Sequence, residues 1–213
     1  MADVGIRDVA AHAGVSVATA SDALNHPERV SRRAAAVVSE SARTLGYRPN
    51  AAARQLKTGR SFVLGLAVSD LGHAFTLQSM TGIEDAADKA GYSVLFGISR
   101  GSAEREARYL ELFERNRVDG VLFAPRGPDL EVLAPFQNRG VPIVLIGAAD
   151  AGSAIPSVTL GDVTLDAGSD DQTAGYAMGR AATELVLSLL STSRSRTASK
   201  GADSQGSAPV GTR

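Results

Sequence analysis

The residues of this chain best suited to chemistry form a run of small, mostly polar side chains near the N-terminus, SVATASD at residues 16–22. Ser16 can cap a short helix, and Ala20 and Leu24 would then turn inward from that helix. The remaining side chains of the run would face outward. A short helix presented in this way fits the major groove of DNA if neighbouring helices hold it there.

Other reactive residue types are scarce. The chain has no cysteine, which excludes disulfides, thiolate catalysis and cysteine-ligated zinc. His12, His26 and His73 do not have the spacing of metal ligands. There is no G-x-G-x-x-G or phosphate-binding loop motif, which opposes a nucleotide-dependent enzyme of the doubly wound class. We therefore expect no enzyme, no cofactor and no metal site.

Two further helices are predicted to support residues 16–22. Ile6, Val9, Ala10 and Ala13 form the apolar stripe of a short helix that Gly14 can end with a positive φ. Two short helices with so few residues between them form a helix-turn-helix. A third helix follows, capped by Ser31 and ended by Gly46, with its inner stripe at Ala34, Val37, Val38, Ala42 and Leu45.

Residues 49–60 form a segment that we call the hinge. Asn50 can cap a short helix over residues 51–57, which Gly59 would end. Leu56 stands in this basic segment and suits a wedge between base steps of the minor groove. A flexible linker with one exposed leucine is the alternative. The neighbouring basic residues are Arg54, Lys57 and Arg60.

The first sixty residues resemble, without a gap, the DNA-binding domain and hinge of the LacI/GalR family of bacterial repressors. The resemblance is carried by IRDVAAHAGVSVATAS, the N-H-P and S-R-R motifs, and LGYRPNAAARQLKTGRS. A helix-turn-helix pattern alone is weak, whereas this succession of motifs is specific. It implies a transcriptional regulator, expected to be a repressor in ancestry, that binds a palindromic operator as a homodimer.

The resemblance also implies roles for single residues. Val17, Ala18 and Asp22 fall where the family reads bases in the major groove. Ser16, Thr19, Ser21, Asn25 and Ser31 fall where it contacts phosphates or supports those contacts. Tyr47 and Asn50 lie at the entry to the hinge, Ala53 lies on the hinge face turned to the minor groove, and Leu56 matches the intercalating leucine.

Asp22 departs from the family pattern, in which arginine is common at this position. A carboxylate cannot donate a hydrogen bond to guanine and is repelled by phosphate, but it can accept one from the amino group of cytosine. We therefore expect an operator that differs from the family's commonest type. The alternative is that Asp22 pairs with a neighbouring arginine.

Charge is distributed unevenly along the chain. Residues 1–60 carry nine basic and five acidic residues. Residues 61–190 carry nine basic and seventeen acidic residues, and residues 191–213 carry four basic residues and one acidic residue. This pattern indicates that the N-terminal region meets a polyanion, although a chance excess of surface arginine is the alternative. No apolar run suggests a signal peptide or a membrane span, so we expect a cytoplasmic protein.

From residue 61 short apolar runs alternate with amphipathic segments. Strands are predicted over 62–68, 92–98, 118–124 and 141–146, with helices over 75–90, 103–116 and 130–138 between them. This order predicts a parallel sheet with helices on both faces. It resembles the first lobe of the periplasmic-binding-protein-like effector domain, which implies a small effector such as a sugar.

Ligands bind such sheets at the carboxyl ends of the strands. The candidate effector residues there are Ser69, Asp70, Phe75 and Asp150. Phe75 could stack on a sugar ring, and Asp70 or Asp150 could accept hydrogen bonds from hydroxyl groups. The alternative is that these residues only solvate loops.

A further helix, capped by Ser169, is predicted to end near Leu190, although Gly175 and Gly179 inside it weaken the pattern. Residues 191–213 are rich in Ser, Gly and Arg and are expected to be disordered. The predicted domains are thus residues 1–48, the hinge, a partial effector domain at 61–190 and this tail. We expect that the chain is a truncated or frame-shifted product or comes from a divergent reading frame. Whether the DNA just downstream encodes the second lobe of the effector domain tests this expectation. A small-molecule-binding module with a vestigial DNA-binding region is the alternative function.

Overall fold

The computed structural model describes residues 4–48, 55–56, 58–124, 130–147, 154–163 and 170–203, with the backbone alone over 194–203. The chain divides into two compact units. We call Met1–Gly59 the head unit and Arg60–Arg213 the body unit. The division falls inside the hinge, one residue before the predicted start of the effector domain.

Over residues 4–48 the head unit contains three short helices, as predicted. They are α1 (Ile6–Ala13), α2 (Val17–Asn25) and α3 (Arg32–Thr44), with a 3-10 turn at Pro27–Arg29 between α2 and α3. Most residues of the predicted apolar stripes meet in one small core, but Val37, which was predicted to face inward, is 42% exposed and lies outside it. The buried residues of this core are Val9, Ala10, Ala20, Ala23, Val38 and Ala42.

The body unit is built on a parallel five-stranded sheet of order β2-β1-β3-β4-β5. The strands are β1 (Val63–Val68), β2 (Ser93–Ile98), β3 (Gly120–Phe123), β4 (Ile143–Ile146) and β5 (Ser157–Val158). The helices are α4 (Ala74–Lys89), α5 (Ala103–Arg115), α6 (Ala134–Asn138) and α7 (Asp171–Asp203). The predicted fold class, an all-α helix-turn-helix unit followed by a parallel α/β domain, is confirmed.

Helices cover both faces of the sheet. Ile83 of α4 and Met178 of α7 share a core cluster with Leu64 and Leu66 of β1. On the other face, Phe113 of α5 packs with Val121 of β3 and with α6. The near-continuous burial of β1, β3 and β4 follows from this two-sided cover.

The third predicted helix of this domain is shorter than expected. Residues 131–138 form a 3-10 turn, Glu131–Leu133, followed by the single short helix α6. Pro135 stands in the first turn of α6. Proline lacks the N–H that an interior helical position must donate, so the chain cannot run through it as one regular helix.

Helix α7 differs from its prediction at both ends. Asp170 caps it, since its carboxylate accepts a hydrogen bond from the Thr173 N–H at 2.9 Å; Ser169, the predicted cap, lies outside the described residues. The helix continues to Asp203, so residues 191–203 are helical rather than disordered. No proline interrupts that stretch, and the Ser191 and Thr192 hydroxyls donate back to the Ser188 carbonyl. Residues 204–213 lie outside the described residues.

Two glycines that weakened the helix prediction are the points at which α7 meets α4. A Cβ on Gly179 would collide with the carbonyl oxygen of Ser79, and one on Gly175 would collide with that of Phe75. The missing side chains let the two backbones approach closely. Tertiary contact therefore outweighs the low helix propensity of glycine.

Candidate nucleic-acid interface

The turn before α2 fixes where that helix begins. Gly14 adopts φ 66°, which an L side chain rarely adopts, and the Val15 N–H donates to the Ala10 carbonyl at 3.0 Å. Ser16 then caps α2, and its hydroxyl oxygen accepts a hydrogen bond from the Thr19 N–H at 3.0 Å. The Ser16 and Thr19 hydroxyls also lie 2.9 Å apart and share a hydrogen bond. The predicted cap at Ser16 is confirmed.

The two sides of α2 differ sharply in exposure. Ala20 and Ala23 are buried against the other helices of the head unit. Val17 is 44% exposed. Ala18 is exposed as well. The first turn of α2 therefore presents methyl groups to solvent, and apolar contact with the thymine methyl group is one way in which proteins read bases.

The remaining candidate residues of α2 are polar and partly accessible. Thr19, Ser21 and Asp22 are half-buried, and Asn25 is exposed. The Asn25 side-chain amide donates to the Ser21 carbonyl at 2.8 Å, which satisfies a carbonyl in the last turns of α2. Within the part of the chain that the structure describes, the Asp22 carboxylate makes no ion pair with an arginine. Asp22 therefore keeps its capacity to accept a hydrogen bond.

Packing against α1 and α3 holds α2 in place, and a contact between side chains of α1 and α3 joins those two helices. His12 Nδ1 lies 3.0 Å from the hydroxyl of Ser41, which is buried. Ser31 caps α3 as predicted, and its hydroxyl oxygen accepts a hydrogen bond from the Ala34 N–H at 3.2 Å. A serine hydroxyl that accepts a hydrogen bond still has a proton to donate, so Ser31 can also donate to a phosphate oxygen.

Exposed arginines on the head unit were not selected from the sequence. The side chains concerned all lie on the surface: Arg7, Arg29, Arg32, Arg33 and Arg48. Guanidinium groups of this kind are the usual partners of DNA phosphates. The excess of basic residues in the first sixty residues indicated that such arginines exist. A count of charges cannot show which arginines lie near α2.

The described part of the hinge is a short helical piece. The Gly59 N–H donates to the Gln55 carbonyl at 2.7 Å, and the Leu56 side chain is 90% exposed. The exposed leucine side chain is accessible for contact with a partner. Tyr47, in contrast, is half-buried and packs against the core of the head unit. Asn50 and Ala53 lie outside the described residues.

The body unit has an open cleft of about 420 Å³ at the carboxyl ends of β1 and β2. Its lining includes two of the predicted effector residues, Ser69 and Asp70, and the Asp70 carboxylate accepts a hydrogen bond from the Gly72 N–H at 3.0 Å. Phe75 packs against the core cluster and is not among the lining residues. Asp150 lies outside the described residues. The other lining residues are Leu71, Ile98 and Arg100.

Arg100 stands at the end of a predicted strand but was not among the predicted effector residues. It directly follows the buried Ser99 at the end of β2, and it adopts φ 51°, an unusual backbone conformation for arginine. With Asp70 it gives the cleft one group of each charge, which suits a small polar molecule. No group of three or more acidic, histidine or cysteine side chains that could hold a metal ion occurs among the described residues.

Two family models match the chain. The model of bacterial regulatory proteins of the lacI family matches residues 5–50. The model of periplasmic binding proteins and the sugar binding domain of the LacI family matches residues 61–204. The two matches fall on the head unit and the body unit in turn. Of the described helices, none is long and apolar enough to cross a membrane.

Curated proteins that resemble the chain are regulators of the same kind. The transcriptional regulator RegA of Clostridium saccharobutylicum is 33% identical over 168 residues, which are 79% of this chain and 50% of RegA. The ribose operon repressor of Bacillus subtilis is 36% identical over 154 residues, covering 72% of this chain and 46% of the repressor. The chain spans about half the length of these relatives.

Solved structures agree with this assignment of the fold. A LacI-family transcriptional regulator from Silicibacter pomeroyi superposes with a TM-score of 0.60 at 26% identity, covering 73% of this chain and 47% of the other. The lac repressor dimer bound to operator and the anti-inducer ONPF gives a TM-score of 0.58 at 29% identity, covering 75% and 49%. The expected resemblance to a periplasmic-binding-protein-like lobe is thus confirmed.

Proposed function

Because the chain belongs to the LacI family of bacterial regulatory proteins, we propose that it is a sequence-specific DNA-binding transcriptional regulator and acts as a repressor. The observation that carries this proposal is the exposed first turn of α2, held by the core of the head unit. Val17 and Ala18 supply its outward methyl groups. A regulator of this kind works on bacterial DNA, so the proposal places it in the cytoplasm and assigns it no catalytic reaction.

Base recognition is divided between Val17, Ala18 and Asp22. The first two are exposed and suit apolar contact with base edges, and the third offers a carboxylate oxygen without an arginine partner among the described residues. A carboxylate accepts a hydrogen bond from the cytosine amino group. We propose that Asp22 selects a cytosine in each half-site.

Phosphate contacts come from groups that surround α2. The proposed residues are those with hydroxyl or amide groups in or beside the helix caps, and the exposed arginines of the head unit assist them. Leu56 enters the minor groove, because its exposed side chain has the size and apolar character of a wedge. Tyr47 at the entry to the hinge, and Asn50 and Ala53 within it, remain proposed DNA contacts. The hydroxyl and amide set is Ser16, Thr19, Ser21, Asn25 and Ser31.

Regulation by a small molecule is the second half of the proposal. The cleft beside Ser69, Asp70 and Arg100 has one acceptor carboxylate and one guanidinium, and sugars or related metabolites offer hydroxyl groups to both. Phe75 and Asp150 remain proposed effector residues. Homodimerisation would double the DNA contacts and make the operator palindromic.

Selection from a random pool of duplexes tests the DNA-binding function. The native protein should enrich palindromic duplexes. An Ala18→Glu variant, which places a carboxylate on the exposed first turn of α2, should enrich none. The matched control is Ala36→Glu, the same change at an exposed position of α3, which should enrich the native set. Equal results for the two variants would contradict the assignment of α2 as the reading helix.

A small-molecule-binding module with a vestigial DNA-binding region is the second candidate, and the cleft favours it. Thermal melting of the protein with a panel of pentoses, hexoses and their phosphates tests ligand binding without DNA. The second candidate requires a ligand-induced rise in melting temperature together with no enrichment of any duplex. Enrichment of a duplex would support the regulator and exclude the second candidate.

A further inference from the structure

The hinge joins the body unit through an unusual local structure at Ser61 and Phe62. Phe62 has φ 56°, a left-handed backbone conformation that is rare for a bulky aromatic residue. Its ring is held against Tyr92, with the ring centroids 5.6 Å apart and the planes tilted by 46°. Its carbonyl oxygen accepts a hydrogen bond from the Ser93 N–H at 2.9 Å. Such a conformation persists only where the surroundings hold it.

The Asp119 carboxylate supplies the main restraint. One of its oxygens accepts hydrogen bonds from the Ser61 N–H at 3.0 Å and from the Ser61 hydroxyl at 3.2 Å. The other oxygen accepts a hydrogen bond from the Phe62 N–H at 3.0 Å. Hydrogen bonds from neutral donors to a charged acceptor are stronger than those between neutral groups.

The rest of this junction reinforces the carboxylate. The Asp119 N–H donates to the Val63 carbonyl at 2.8 Å, so backbone and side chain of one residue hold three consecutive residues. The Ser61 hydroxyl oxygen accepts a further hydrogen bond from the Val63 N–H at 3.2 Å. Asp119 is half-buried, which limits competition from water.

This group of contacts lies apart from the cleft. Phe62 immediately precedes β1, whereas Ser69 immediately follows it, so the two sites stand at opposite ends of the strand. Asp119 immediately precedes β3, which pairs with β1 in parallel. Asp119 does not line the cleft, so its contacts need another explanation.

We propose that Asp119 is a positioning residue that fixes the conformation of the chain where the hinge meets the body unit, and thereby raises the affinity of the whole chain for DNA. A fixed junction leaves the residues on its N-terminal side fewer conformations to lose when they become ordered on a duplex. The effect on DNA affinity rests on the proposed function, whereas the effect on the junction does not.

Hydrogen exchange of the intact protein tests the junction directly. In Asp119→Asn an NH2 group replaces one of the two carboxylate oxygens and faces a backbone N–H group. Because both groups are donors, at least one hydrogen bond is lost. We expect the Ser61 and Phe62 amides to exchange about tenfold faster. The amides of Leu64 and Leu66 inside β1 should keep their native rates. Unchanged exchange at Ser61 and Phe62 would overturn the proposal.

The affinity for a selected duplex is the readout that a merely structural role would not move. Asp119→Asn should weaken binding about tenfold and leave the preferred sequence unchanged. Faster exchange with native affinity would overturn the positioning role. If the native protein prefers no duplex, the proposed function is contradicted. The exchange rates would still show whether Asp119 fixes the junction.

Asp162→Asn is the matched control. The Asp162 carboxylate also accepts hydrogen bonds from one backbone N–H and one hydroxyl, both of Thr159, but it lies in the 3-10 turn after β5. This variant should change neither the exchange at Ser61 and Phe62 nor the DNA affinity. Should Asp119→Asn fail to fold, Ser61→Ala removes one of the three donors and keeps the carboxylate. It should shift the exchange of the Phe62 amide in the same direction by a smaller factor, and no shift would overturn the proposal.

Discussion

The hydroxyl of Ser16 accepts a hydrogen bond from the backbone N–H of Thr19, three residues into α2, at 3.0 Å. This cap satisfies one of the free N–H groups of the helix start and sets the first turn of α2. The turn so defined carries the exposed Val17 and Ala18. The capping residue and the base-reading positions of the proposed function are therefore parts of one local structure.

Asp22 gives the sharpest prediction about specificity. Asp22→Arg replaces an acceptor of hydrogen bonds by a donor, so the preferred base at the contacted position should change from cytosine to guanine. Selection from a random pool of duplexes measures the change. Glu40→Arg, which makes the same charge change on an exposed residue of α3, should leave the preferred sequence unchanged. An unaltered preference in Asp22→Arg would exclude Asp22 from base recognition.

Neighbouring valines of α3 test the core of the head unit. Val38 is fully buried, so Val38→Ala should lower the free energy of unfolding of the head unit by about 2 kcal/mol. Val37 is 42% exposed, and Val37→Ala should change it by less than about 0.5 kcal/mol. Exchange of the slowest α3 amides reports both values. Similar losses in the two variants would be inconsistent with the packing described.

Gly179 tests the close approach of α7 to α4. Gly179→Ala places a methyl group against the Ser79 carbonyl, so the helices must separate and the body unit should lose about 1–3 kcal/mol of stability. Thermal melting should show a fall of several degrees. Gly161→Ala is the control, because an added Cβ there would meet no atom nearer than 3.7 Å. If Gly179→Ala melts like the control, α7 does not pack on α4 as described.

Asp170 links the stability of α7 to pH. Hydrogen bonds from the Thr173 N–H and hydroxyl hold the pKa of the Asp170 carboxyl below its ordinary value of 3.8. A lowered pKa in the folded state gives stability that is present above pH 3.8 and lost as the pH falls below it. Asp170→Ala should therefore melt at a lower temperature than the native protein at pH 7, with a smaller difference near pH 3.

The control for this pH dependence is the neighbouring Asp171. Asp171→Ala leaves the carboxylate that caps Thr173 in place, so its melting temperature should follow that of the native protein across the same pH range. A difference between Asp170→Ala and the native protein that stays constant from pH 7 to pH 3 would show that the charge of the cap contributes nothing.

Local patterns were sufficient to predict most elements. The stripes at Ile6, Val9 and Ala10 and the caps at Ser16 and Ser31 depend on residues a few positions apart, so periodicity and capping rules locate α1, α2 and α3. The buried strands of the body unit are apolar runs of the expected length. Their parallel order follows from the alternation with helices.

Features that depend on distant contacts could not be predicted in this way. Gly175 and Gly179 weaken a helix locally, and only the backbone of α4 shows why they are there. Asp119 reads as an ordinary loop carboxylate until Ser61 and Phe62 are seen to donate to it. Arg100 joins the cleft because β1 and β2 are neighbours in the sheet, which strand order along the chain does not reveal.

The ratio of two dissociation constants tests the central claim most directly. The native protein should be titrated with its enriched palindromic duplex and with a shuffled duplex of the same composition, at low and at moderate ionic strength. Both affinities should fall as salt rises, and at moderate salt the palindrome should bind about a thousandfold more tightly. Equal, weak binding of both duplexes at each ionic strength would contradict the proposal that α2 reads a DNA sequence.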